Sequence, residues 1–88
     1  MKGKYRSYSS FMDIISIKAL EFGYQEKSRD YNNGRLSLVS EYSLYTIDIY
    51  IGKMTVGVTQ KKQPTVWLKN VNKETMIELF KEPLNVII

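Results

Sequence analysis

The chain contains no cysteine and no histidine, and only one tryptophan, two prolines and five glycines. Without cysteine there is no disulfide, no thiolate nucleophile and no sulfur-ligated metal. Without histidine the commonest general base and the commonest metal ligand are also missing. Catalysis would have to rest on carboxylates, lysine, tyrosine or serine, and no nucleophile–base pair stands out among them. Neither a P-loop nor a G-x-G-x-x-G run occurs. The expectation is a protein that is not an enzyme and uses no cofactor and no metal.

Long apolar runs are absent too. The N-terminus, "MKGKYRSYSSFMDIISIKAL", begins basic and turns apolar, but Asp13 and Lys18 interrupt it and no small-residue cleavage site follows. Nothing approaches the ~20 apolar residues of a membrane span. A cytoplasmic protein with no membrane contact is expected. The abundance of Lys, Ile, Asn and Tyr suits an AT-rich gene, as in low-GC bacteria and their phages.

What is present bounds the architecture. Eighty-eight residues, 43% of them hydrophobic, make one domain with a small core. The net charge of +4 raises the question of nucleic acid. Its distribution argues against a single binding patch: +3 over 1–35, −1 over 36–60 and +2 over 61–88.

Residues 1–9 are basic and aromatic without apolar periodicity and read as a flexible arm preceding a domain over 10–88. "SFMD" has capping-box form, Ser10 accepting from the Asp13 backbone, which starts a helix over Phe11 to Phe22 closed by Gly23. Phe11, Met12, Ile15, Ala19 and Phe22 form its apolar stripe. Ile14 flanks that stripe, and Ile17 and Leu20 fall outside it. The helix is therefore greasier than one-sided burial requires, and either packs on two sides or leaves apolar surface for a partner.

Residues 24–31 have almost no apolar alternation and read as an edge strand or a loop. Asn33-Gly34 suggests a type I′ hairpin turn, with Leu36 and Leu38 on one side of the strand that follows. In "YTIDIYIGKMTVGVTQKK" (45–62) the alternation is clean on both sides of Gly52-Lys53. A type II′ turn there sets Ile51 opposite Met54 and pairs Ile49 with Val56 and Ile47 with Val58 on one face. The other face pairs Tyr50 with Thr55, Asp48 with Gly57 and Thr46 with Thr59. A one-residue slip would send every isoleucine into water, so the register is well specified. After a polar turn at "KKQP", "TVWLK" makes a short strand; Val66 and Leu68 inward would put Trp67 outward, where a lone tryptophan is more often covered by a neighbouring segment than left open. Asn72 caps a second helix, Val71 staples to Met76, and Met76, Ile77, Leu79 and Phe80 form its buried side. Pro83 ends it, and "LNVII" could add a last edge strand.

The fold expected is α+β: a mainly antiparallel sheet of three to five strands with an N-terminal and a C-terminal helix on one face, in α-β-β-β(-β)-α order. At the level of topology α-β-β-β-α is also the order of double-stranded RNA-binding domains. The lysine cluster which that family carries at the start of its second helix is missing here, where "NVNKETMIELF" has Lys73 beside Glu74, and no family is assigned. Glu74, Glu78 and Glu82 line up on the second helix, a pattern of a solvated face.

Two binding readings remain. In the first, the face opposite the isoleucines, with Thr46, Asp48, Tyr50, Thr55 and Trp67, binds a protein partner or a second copy, as in a regulator, inhibitor or adaptor. In the alternative, Lys2, Lys4, Arg6, Lys61 and Lys62 contact nucleic-acid phosphates. The central Asp48 carboxylate favours the first.

Overall fold

A computed structural model describes the chain over residues 2–82, and its side chains over 10–82. Helix α1 (Lys2–Glu21) leads into five strands, β1 (Tyr24–Asp30), β2 (Arg35–Ser40), β3 (Tyr45–Tyr50), β4 (Thr55–Gln60) and β5 (Thr65–Leu68), and helix α2 (Lys73–Lys81) follows. The strands form one antiparallel sheet in the order β1-β2-β3-β4-β5. This is the expected α+β architecture, at the upper end of the expected strand number. "LNVII" lies outside the described residues.

The alternation of β3 and β4 produces the expected register pair for pair, from Thr46↔Thr59 through Ile47↔Val58, Asp48↔Gly57 and Ile49↔Val56 to Tyr50↔Thr55. On the isoleucine side, Leu36, Leu38, Ile47, Ile49, Val56 and Val58 are buried against Met12, Ile15 and Ala19 of α1 and Met76, Leu79 and Phe80 of α2. Six aliphatic side chains at roughly 1.5–3 kcal/mol each make this layer the main source of stability. At one edge of it the Tyr24 ring packs on Phe80 with 5.7 Å between centroids.

The turns differ from expectation, for tertiary reasons. The β3–β4 connection is not a type II′ turn at Gly52-Lys53 but a four-residue loop, Ile51 to Met54, in which Met54 takes the left-handed conformation (φ 47°). Ile51 is tucked into the core. Its N–H donates to the Gly34 carbonyl at 2.8 Å, while the Met54 carbonyl accepts from Val71 N–H at 2.9 Å. Neighbouring segments on both sides thus claim the loop backbone, and a two-residue turn could not reach both. The β1–β2 connection is likewise a four-residue loop, with Gly34 alone left-handed (φ 63°). There the Asp30 carboxylate accepts from Asn32 N–H (3.1 Å), Asn33 N–H (3.3 Å) and Asn33 Nδ2 (2.7 Å), a local cap that outcompetes the type I′ turn. The positive-φ pair of type I′ form is found instead between β2 and β3, at Tyr42 (φ 60°) and Ser43 (φ 54°).

Helix α1 begins at Lys2, not Phe11, so residues 2–9 extend it and Ser10 lies inside it. Once Met12 to Ala19 are held by packing, adding turns costs little, because propagation lacks the nucleation penalty. β1 is a strand despite its polar sequence. It carries a bulge between Glu26 and Ser28, and Arg29 holds it to α1 through Asp13 (2.7 Å) and to its own Glu26 (2.7 Å). Ser16 of α1 also donates to Glu26 at 2.7 Å. Desolvation is the largest single influence on the Arg29 pKa and lowers it, but the hydrogen bonds to Glu26, Asp13 and Tyr31 together outweigh it and raise the pKa above the usual arginine value. α2 starts as expected, Asn72 accepting from Thr75 N–H at 2.7 Å with Val71 and Met76 both buried, although Ile77 is only half-buried.

Candidate functional site: the open face of the sheet

Period two along each strand sends alternate residues to the face away from the helices. On it the ladder aligns Arg35, Tyr50 and Thr55 in one row, Ser37, Asp48, Gly57 and Trp67 in the next, and Val39, Thr46, Thr59 and Thr65 in the third. The five partner-binding candidates, Thr46, Asp48, Tyr50, Thr55 and Trp67, therefore share one surface.

The aromatic part is built around a glycine. Trp67 stands opposite Gly57 and its indole lies across the glycine backbone. A Cβ at Gly57 would sit 2.7 Å from Trp67 Cζ3 and 2.9 Å from Cη2, so only glycine admits the ring in this position. The ring is 51% exposed. It meets Tyr50 at 5.9 Å between centroids with a 45° tilt. The Arg35 guanidinium lies over the Tyr50 ring, 6.0 Å from its centroid, within cation–π range. Arg35, Tyr50 and Trp67 form a continuous ladder, of which Arg35 was not among the residues singled out above.

Asp48 is occupied within the sheet. Its carboxylate accepts from Ser37 Oγ and from Arg35 Nη2, the latter at 3.1 Å. The Asp48 charge in turn raises the Arg35 pKa, mainly through that hydrogen bond. The carboxylate, expected to favour a protein partner, is thus matched by a cation, and the face is not anionic at its centre. Ser37 and Arg35 could have been found: the spacing of Leu36 and Leu38 already turns both toward this face.

At the end of the face near the β1–β2 and β3–β4 loops, a polar depression of about 780 Å³ is bounded by Asp30, Asn33, Arg35, Tyr50, Lys53 and Trp67 among others. The opposite end carries the hydroxyl pair Thr59 and Thr65, 2.6 Å apart, and then the exposed β4–β5 turn with Lys61 and Lys62. Lys62 is itself left-handed (φ 65°). Lys2, Lys4 and Arg6 lie on the first turns of α1, and their side chains are outside the described residues. Lys61 and Lys62 thus stand at the opposite end of the face from the depression beside Tyr50 and Trp67, which Arg35 and Lys53 border.

A second exposed surface lies on α1, where Ile14, Ile17 and Leu20 are each more than 60% exposed. Ile14 and Ile17 border an apolar groove of about 440 Å³ between α1 and α2, with Phe11, Ile77 and Phe80. The excess apolar residues of α1 face outward rather than packing on a second side.

Among the described residues no group of three or more His, Cys, Asp or Glu side chains could hold a metal ion, and no helix is long and apolar enough to cross a membrane. Glu74 and Glu78 are exposed, Glu78 lying 3.9 Å from Lys81. Comparison with protein families, curated proteins and solved structures finds no match for this chain.

Proposed function

We propose that this protein is a non-enzymatic binding module that recognises a protein partner through the open face of its sheet, as a small regulator, inhibitor or adaptor. The observation that supports this best is the Trp67 ring, held half-exposed on Gly57 and against Tyr50. A fold that needed Trp67 only for its core would bury it. Tryptophan, tyrosine and arginine are the side chains that most often dominate protein interfaces, at about 2 kcal/mol or more each when truncated. Here one of each stands in contact on a rigid sheet, so little ordering entropy remains to be lost on binding. Thr46, Asp48 and Thr55 surround the ladder with short polar groups that keep the free surface soluble.

A second reading has an observation of its own. Asp48 is paired with Arg35, so single-stranded nucleic acid could stack bases on Tyr50 and Trp67, with Arg35 and Lys53 near the phosphates. Lys61, Lys62, Lys2, Lys4 and Arg6 would then add only long-range attraction. Salt separates the readings. Phosphate contacts in a single strand give a log–log slope of about −0.7 each, whereas an aromatic protein interface changes little with salt.

The test is the double variant Tyr50→Ala with Thr46→Lys. Its melting temperature should stay close to that of the native chain, and recovery of a cross-linked protein partner should be lost. A folded variant that recovers the same partner would remove the open face from consideration. Sub-micromolar binding of an oligonucleotide at physiological salt would put the nucleic-acid reading first.

A further inference from the structure

The two outer strands of the sheet are built differently. β1 (YQEKSRD) carries a bulge between Glu26 and Ser28 and the charged residues Glu26, Lys27, Arg29 and Asp30. Bulges and charges are the devices by which sheets keep a free edge from pairing with another chain. β5 (TVWL) has neither: no charge, no proline and no bulge within its span. Among the described residues it is the edge of the sheet beyond β4. It also exposes apolar side chains on both faces. Val66 is 39% exposed on the helix side, although its partner Val58 is buried, and Trp67 is 51% exposed on the open side. The helix layer therefore stops short of this strand.

We infer that the β5 edge pairs with the β5 edge of a second copy, antiparallel about a two-fold axis normal to the sheet, making one ten-stranded sheet. The strand is self-complementary in this arrangement. Such an axis keeps each face on its own side, so residues directly opposite must come from the same face. Centring the pair on Trp67 sets Trp67 against Trp67 of the second copy and Val66 against its Leu68. Apolar then meets apolar on both faces, and the aromatic ladder runs Tyr50, Trp67, Trp67, Tyr50 across the axis. Centring on Val66 would instead set Leu68 against Pro64, which has no N–H to give the ladder. The backbone N–H and C=O groups of β5 that pair with no other described residue supply the hydrogen bonds. The contact is small, under ~1,200 Å² in total, which is the range of weak, exchanging pairs. The dimer should therefore dissociate on dilution in the micromolar range. It does not depend on the open face having a further partner.

The experiment is sedimentation velocity on the full chain across a dilution series, in parallel with emission from its single tryptophan. The expected result is a mass moving from twice 10.3 kDa toward 10.3 kDa on dilution, with the Trp67 emission shifting to the red over the same range. Val66→Lys, which places a charge on an already exposed edge position, should be monomeric throughout with an unchanged far-ultraviolet circular dichroism spectrum. A native chain that is monomeric at every concentration would overturn the inference. So would a dimer that persists in folded Val66→Lys, since it would use another surface. Should Val66→Lys fail to fold, hydrogen exchange of the native chain decides: β5 amides more protected at high concentration support the pairing, and equal protection at all concentrations refutes it. Because Val66 faces the helix side, a monomeric variant that still captures an open-face partner leaves the proposed function standing, and loss of capture by Tyr50→Ala leaves the dimer standing.

Discussion

Replacing Gly57 by alanine asks how firmly the open face holds its tryptophan. The new Cβ would lie 2.7 Å from Trp67 Cζ3, so the ring must retreat by about 0.9 Å to reach the ordinary carbon–carbon separation of ~3.6 Å. An aromatic side chain offers roughly 150–250 Å². With the ring 51% exposed, about 100 Å² is covered, or about 2.5 kcal/mol at ~25 cal/mol per Å². A gap of 0.5–1 Å forfeits about a quarter to a half of the contact energy, a loss of roughly 0.6–1.3 kcal/mol. Alanine offsets part of it, about 0.4–1 kcal/mol, by restricting the unfolded chain. The net change should be below ~1 kcal/mol, within about 8 °C in melting temperature for a domain of this size. The emission maximum of Trp67 should nevertheless move to the red as the ring enters water, and affinity for any open-face partner should drop. Emission and partner affinity unchanged from the native chain would refute the claim that Gly57 seats the ring. A loss of several kcal/mol would instead mean that Trp67 belongs to the core.

The turn geometries make separate predictions. Tyr42→Asn with Ser43→Gly keeps the positive-φ pair while using the residues that favour it, so chemical denaturation should show a gain of about 1–2 kcal/mol. Gly52 is exposed and not left-handed, so Gly52→Ala should be neutral or stabilising by up to about 1 kcal/mol. Gly34→Ala should cost about 1–2 kcal/mol, because alanine is strained at the positive φ of Gly34; the reverse ranking in urea melts would contradict both loop geometries. Burial, with smaller contributions from Tyr45 and Glu82, pushes the Tyr24 phenol up to about 12 from 10.0. Because the folded state resists ionisation, this contribution to stability is complete below pH 10 and lost as pH rises through 12. A tyrosinate absorbance titration of the native chain against Tyr24→Phe should show the missing tyrosine ionising near pH 12.

The central hairpin was legible residue by residue, because alternation and burial act together: each of Ile47, Ile49, Val56 and Val58 has one face on which it can avoid water. The same alternation turns Trp67 to the open face, but whether a neighbouring segment covers the ring and how it seats on Gly57 are decided in three dimensions. The turn types did not, since their choice depends on bonds from elsewhere, Ile51 N–H to Gly34 and Val71 N–H to Met54, which no local pattern records. β1 was obscured for a related reason. It is held by Arg29 bridging Asp13 and Glu26, and a polar network leaves no periodicity to read. The start of α1 was misplaced because a good capping sequence at Ser10 does not compel a helix to begin there.

What the open face can recognise depends more on Arg35 than on Asp48, the residue the sequence made conspicuous. An unpaired carboxylate at the centre of the sheet would have selected cationic partners and excluded phosphates. Bound by Arg35 and Ser37, it would, under the proposed function, select neither, and it holds the guanidinium beside Tyr50. The two charges offset each other at the surface, where the Arg35 guanidinium stays exposed beside half-buried Tyr50 and half-exposed Trp67. A partner should then be chosen by the shape and apolar area it offers Tyr50 and Trp67, with the flanking hydroxyls setting orientation. Such recognition gains from a longer, flatter platform, which is what pairing two β5 edges would supply. The same strand that carries the tryptophan is the one left without charges or a bulge to keep another chain away.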